Sequence, residues 1–193
     1  MDPIPPGFAA TRLALHAVAE QRVSPPRREA TGRIDLRATA GGFGTPVFAG
    51  DREVRTDGAE LVIVGGGEER RERLDGVDAV AARWLGRFFA LALHVLTELG
   101  RDLPREYAPS APKLWPEHFD YAIEAGTVRA NYGFSPGDDD HAEPYVYVGP
   151  WEARPEGEQW NATAFPGAEL TLTDLDADPL PWLQERLATL HDD

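Results

Sequence analysis

The chain has 193 residues, 42% of them hydrophobic, five tryptophans among them, and a formal net charge of −14. That length suits one domain able to bury roughly 70% of its unfolded surface, and the composition excludes a disordered chain. The acidic balance argues against nucleic-acid partners, which need a basic footprint to displace counterions, and against an acidic membrane surface. Without cysteine there are no disulfides, thiolate metal sites or cysteine nucleophiles.

Residues 1–8 form a proline-rich lead-in without a basic or long apolar stretch, so no secretion signal is expected and a cytoplasmic location is the default expectation. Leu13, Ala14, Ala17 and Val18 predict a short amphipathic helix over Ala10–Val23, stopped by Ser24-Pro25-Pro26. Thr31–Thr39 alternates Ile34, Leu36 and Ala38 with Arg33, Asp35 and Arg37, which predicts a half-buried strand. Arg52–Arg55 and Glu60–Val64 flank Thr56-Asp57-Gly58-Ala59, a hairpin signal. Gly65–Gly67 and the charged run Glu68–Arg73 are expected to be an exposed connection.

Val77–Leu99 carries an apolar ridge of Val80, Trp84, Phe88, Leu91 and Val95 and predicts the main helix, capped by Gly100. Its greasiest part, Phe88–Leu99, is interrupted by His94 and Glu98 and is too short to span a bilayer. Trp115–Tyr121 and Val128–Phe134 predict a hairpin through Glu124–Thr127. Pro144–Val148 and Ala168–Leu172 predict further strands, and Pro181–Leu190 a closing helix. The expected fold is α+β: one domain over residues 1–193, an antiparallel sheet packed by the central helix, with short terminal helices. Residues 1–8 and 190–193 are expected to be flexible.

Alternation puts His118 and Asp120 on one face of the hairpin. Pairing Ile123 with Val128 would add Asn131 and Arg129 to that face, with His118 opposite Gly133. Asp120 could then orient His118 as a general base, while Arg129 and Asn131 bind a carbonyl or anionic oxygen. Ser135 and Tyr145 border the same cleft as ligand-binding candidates. His118, Asp120, Asp138 and His141 are the residue types of a divalent metal site, to which His16 and Glu20, one helical turn apart, could add ligands. The bland reading is a hydrogen-bonded polar face, with Asp120 and Asn131 pairing across strands and Arg129 offsetting Glu124.

Four motifs fail on chemistry or context. Gly133-Phe134-Ser135-Pro136-Gly137 fits a nucleophile elbow, but Pro136 lacks the N–H that the oxyanion hole requires. Gly41-Gly42-Phe43-Gly44 and Gly65-Gly66-Gly67 complete neither a dinucleotide fingerprint nor a phosphate-binding loop. Asn161-Ala162-Thr163 is a glycosylation sequon only in a secreted chain. Two functions stay open: a small-molecule-binding protein or enzyme with a polar cleft over the 115–134 hairpin, and a non-catalytic acidic interaction or scaffold domain.

Ala30–Ile34 with Gly41–Pro46, Leu114–Asp120, Asn131–Asp138 and Glu143–Trp151 together resemble a family of uncharacterised conserved actinobacterial proteins. The arginine-rich usage, with Lys113 the single lysine, suits a GC-rich genome. The resemblance implies no activity, ligand or catalytic residue.

Overall fold

The computed structural model describes residues 1–152, 155–175 and 178–191. The fold is α+β, as expected, but it has two antiparallel sheets where one was expected. The chain separates into two compact units. The first comprises Met1–Leu91 with Lys113–Phe119, and the second Ala92–Pro112 with Asp120–Asp193.

In the first unit, α1 (Phe8–Val18) does not stop at the prolines. It continues as a π-helical segment, Ala19–Val23, into α2 (Ser24–Thr31), whose first turn holds Pro25 and Pro26. Proline is tolerated there because first-turn N–H groups have no helical partner. Gly32, left-handed at φ 73°, ends α2. Helix therefore occupies the start of the expected Thr31–Thr39 strand, and β1 is only Arg37–Thr39.

The first sheet runs in the order β1, β2 (Gly42–Gly44), β3 (Glu53–Asp57), β4 (Glu60–Gly65), β5 (Glu68–Arg73). Asp57 faces Glu60 across the Gly58-Ala59 turn, as the Asp-Gly signal predicts. The run Glu68–Arg73 is a strand rather than a connection, paired along its length with β4. Its mixed charges suit an exposed edge, where charge discourages pairing with other chains. Arg71 there bonds Asp57, Glu60 and Glu69.

The long helix α3 (Ala79–Asp102) is capped by Asp78, whose Oδ1 accepts from the Val80 and Ala81 N–H groups at 2.9 Å. It passes through Gly100, which is a helical residue and not the expected cap. By length and composition α3 could cross a membrane, but 56% of its most apolar window is buried, as in a core helix. Within the first unit Phe89 packs edge-on against Phe43 and Phe119, and Trp84 against Phe8. A Cβ at Gly86 would come within 3.0 Å of the Gly42 backbone, so these two glycines let helix and strand approach. The N-terminal lead-in is tied down here, since the Trp84 indole donates to the Asp2 carbonyl at 2.9 Å. β6 (Lys113–Trp115) also belongs to this unit, where Leu114 bridges Leu36.

The second unit is built on β7 (Asp120–Ala125), β8 (Ala130–Ser135), β9 (Tyr145–Pro150) and β10 (Ala168–Thr171), adjacent in chain order. Ile123 faces Tyr132, four residues from the register expected with Val128. Tyr121, Ile123, Tyr132, Phe134, Val146, Val148 and Ala168 fill the apolar face, all buried. The C-terminal half of α3 lies against it, with the Ile123 Cδ1 atom 4.0 Å from where a Gly100 Cβ would be. α4 (Pro179–Thr189), capped by Asp178, contributes buried Leu183 and Leu187. Residues 192 and 193 of the expected flexible tail lie outside the described residues.

Tyr132 is fully buried, and its hydroxyl has no hydrogen-bond partner among the described residues. An unmet buried hydroxyl costs roughly 1–3 kcal/mol. Tyr132→Phe should therefore keep or raise stability in urea unfolding. A loss above ~1 kcal/mol would mean that the hydroxyl is bonded in solution.

Candidate functional site

The pleat of the second sheet places Asp120, Ala122 and Glu124 on the face opposite the apolar one. Asn131, Gly133, Ser135, Tyr145, Tyr147, Gly149, Glu169 and Thr171 share it. The polar face is thus where alternation placed it, because a four-residue register change is even and leaves every side chain on its side.

His118 is not part of that face. Residues 116–119 form a turn instead of the expected strand, His118 is exposed, and Phe119 is left-handed at φ 55°. The turn is closed by the Phe119 N–H donating to Trp115 O at 2.7 Å. Burying Phe119 among Phe43, Phe89 and the His16 ring holds this conformation, which L-residues rarely adopt. Asp120 Oδ2 accepts from the Tyr147 hydroxyl. Tyr147 can lie across the sheet because Gly133 faces it. A Cβ at Gly133 would meet the Tyr147 ring at 2.5–2.6 Å.

Arg129 and Asn131 belong to a second cluster. Arg129 pairs with Glu124 at 2.8 Å, as the bland reading has it, and its guanidinium lies 5.4 Å over the exposed Trp151 ring. Asn131 accepts from the Trp151 indole at 3.0 Å rather than pairing with Asp120, and faces Glu124 across the strands. Ser135 is buried, its hydroxyl accepting from the Gly137 N–H at 3.2 Å.

The densest chemistry is at the other end, around Asp138. Its Oδ1 accepts from the Asp140 and His141 N–H groups and lies 2.9 Å from His141 Nδ1. Its Oδ2 accepts from the Tyr145 hydroxyl at 2.7 Å. His141 Nε2 lies 3.0 Å from Glu169 Oε2 on β10. Asn161, the sequon residue, fixes Glu169 by bonding both its backbone N–H and its carbonyl, at 3.0 and 3.1 Å. The sequence pattern did not assign Glu169, Asn161 or Tyr147 to the site, reading Asn161 only as a sequon and Tyr147 only as a nearby aromatic. The facing glycines Gly149 and Gly167, with Phe165 lying over them, were the available signal.

Burial disfavours the charged His141, but bonds to Asp138 and Glu169 and their charges outweigh it and raise its pKa above 6.5. Burial likewise works against the Asp138 carboxylate, yet bonds from Tyr145 and His141 hold it below 3.8. Tyr145 and Tyr147 are pushed up, first by burial, then by Asp138 for Tyr145 and by Asp120 for Tyr147, so both stay neutral donors. Both His141 nitrogens are committed, which suits a residue that organises carboxylates more than one that shuttles protons. Among the described residues no group of three or more His, Asp and Glu side chains is arranged to hold a metal ion. Within the first unit His16 stacks on Phe119 and Glu20 is exposed.

No family model matches the chain, and neither curated proteins nor solved structures show a significant match, so function rests on this geometry.

The raised His141 contributes stability that is complete below 6.5 and fades as pH rises through its folded midpoint above that value. The lowered Asp138 contributes above 3.8 and fades as pH falls through its own folded midpoint. The melting temperature of the native chain should exceed that of His141→Asn by about 2–4 °C near pH 5.5. The gap should shrink by pH 8.5; a gap independent of pH would contradict the pairing.

Proposed function

We propose that the chain is a small-molecule-binding protein whose ligand lies on the polar face of the second sheet. The observation that carries this reading is the continuous array Tyr145–Asp138–His141–Glu169, adjoined on the same face by Tyr147–Asp120. Fixed carboxylates and tyrosines give directional hydrogen bonding, and the half-buried Tyr147 and Phe165 add apolar surface. Tyr145 and Tyr147 lie 6.0 Å apart, and Phe165 stands edge-on to Tyr147 at 5.9 Å. Three carboxylates gathered around one imidazole disfavour anions and suit a neutral polyhydroxyl or an amine-bearing ligand. Binding is favoured over general-base catalysis because His141 has both nitrogens engaged.

The second reading is an interaction domain, and one patch favours it. Trp151 is 57% exposed and Val128 40%, and Arg129 lies over the indole. Tryptophan and arginine dominate binding hot spots.

The test is a thermal-shift and calorimetric screen of sugars, polyols, amines and amino acids against the native chain, Tyr147→Phe and Asp120→Asn. At least one of these classes should raise the native melting temperature, and its affinity should fall roughly tenfold or more in the variants, the size of losing one charge-assisted bond. Ligand binding undiminished in both folded variants would contradict the placement.

A further inference from the structure

We propose that His191 is a pH-sensitive latch that fastens the C-terminal helix to the β7–β8 turn. The residue follows α4, and its two ring nitrogens meet partners of opposite kind. Nδ1 lies 2.8 Å from the Leu187 carbonyl, which can only accept, so Nδ1 carries the proton. Nε2 lies 3.1 Å from the Thr127 backbone N–H, which can only donate, so Nε2 offers its lone pair. The neutral Nδ1–H imidazole alone satisfies both.

The slot is built to receive this ring. Tyr107 stacks on it at 4.4 Å with the planes 22° apart. Gly126, left-handed at φ 97°, leaves the opposite wall open: a Cβ there would sit 2.8 Å from His191 Cε1 and Nε2. The Gly126 N–H donates to the Tyr107 carbonyl at 2.9 Å, joining turn and stacking residue into one frame.

The elements packed against the ring carry charged groups of their own, Arg105 and Glu106 on the 3-10 turn among them. From α4 the neighbouring Arg186 pairs with Glu185 at 2.9 Å. From the single 3-10 turn Arg105–Tyr107 comes the neutral Tyr107 ring. From the hairpin turn, Arg129 is held by Glu124 at 2.8 Å, with Ala108 O at 3.4 Å. Protonation of Nε2 sets one N–H against another and breaks the Thr127 bond. The latch is closed while the ring is neutral and opens when Nε2 takes up a proton, the opposite sense to the His141 pair.

The experiment uses the full chain. Imidazole 15N chemical shifts at pH 7.5 should show His191 as the Nδ1–H tautomer; the Nε2–H tautomer would overturn the proposal. Hydrogen exchange, corrected for intrinsic rates, should show the Gly126–Thr127 amides and α4 losing about tenfold in protection from pH 7.5 to 5.5. His191→Gln, which offers a non-titrating acceptor, should lose that pH dependence. Equal protection at both pH values in the native chain, or the same loss in His191→Gln, would overturn it.

Discussion

The second sheet depends on the two-residue period of its pleat, which sorts side chains more strictly than any single contact does. Tyr121, Ile123, Tyr132, Phe134, Val146 and Val148 take one side, while Asp120, Glu124, Asn131, Tyr145, Tyr147 and Glu169 take the other. Each fully buried aliphatic or aromatic side chain is worth about 1.5–3 kcal/mol, so a one-residue slip would expose several at once and bury carboxylates in their place. The polar array is therefore a product of the core on the other side. Glycine completes the arrangement where rings must lie flat: Gly133 under Tyr147, and Gly149 and Gly167 beneath Phe165.

In the first unit the corresponding constraint is aromatic. Phe119 meets His16, Phe43 and Phe89, drawing two helices, a strand and the Lys113–Phe119 segment into one cluster. Its left-handed backbone is the strained point, stabilised by that burial. The same turn carries His118 outward, so the geometry that serves the core removes the histidine from the chemistry.

Periodicity made much of this legible. The central helix, the Asp57-Gly58 hairpin, the strands near Tyr145 and Ala168, and the closing helix all follow from local pattern. The polar face was also legible, because an error of four residues in register preserves parity. What local pattern could not give was non-local pairing. Asp138 and His141 were visible as candidates, but Glu169 reaches them from a strand 28 residues beyond His141. The helix through Pro25 and Pro26 was hidden because proline reads as a stop, although it also begins helices. The run Glu68–Arg73 was hidden because charge reads as loop, although an edge strand tolerates it on both faces.

The polar face depends on the register that lays Tyr147 across Gly133 toward Asp120. Proton NMR of the Gly133 Hα resonances tests it most directly. Ring-current shifts to high field, with cross-relaxation to the Tyr147 ring and loss of both in Tyr147→Leu, are the predicted result. Unshifted Gly133 resonances without contact to that ring would contradict the register, and with it the polar face on which the functional reading rests.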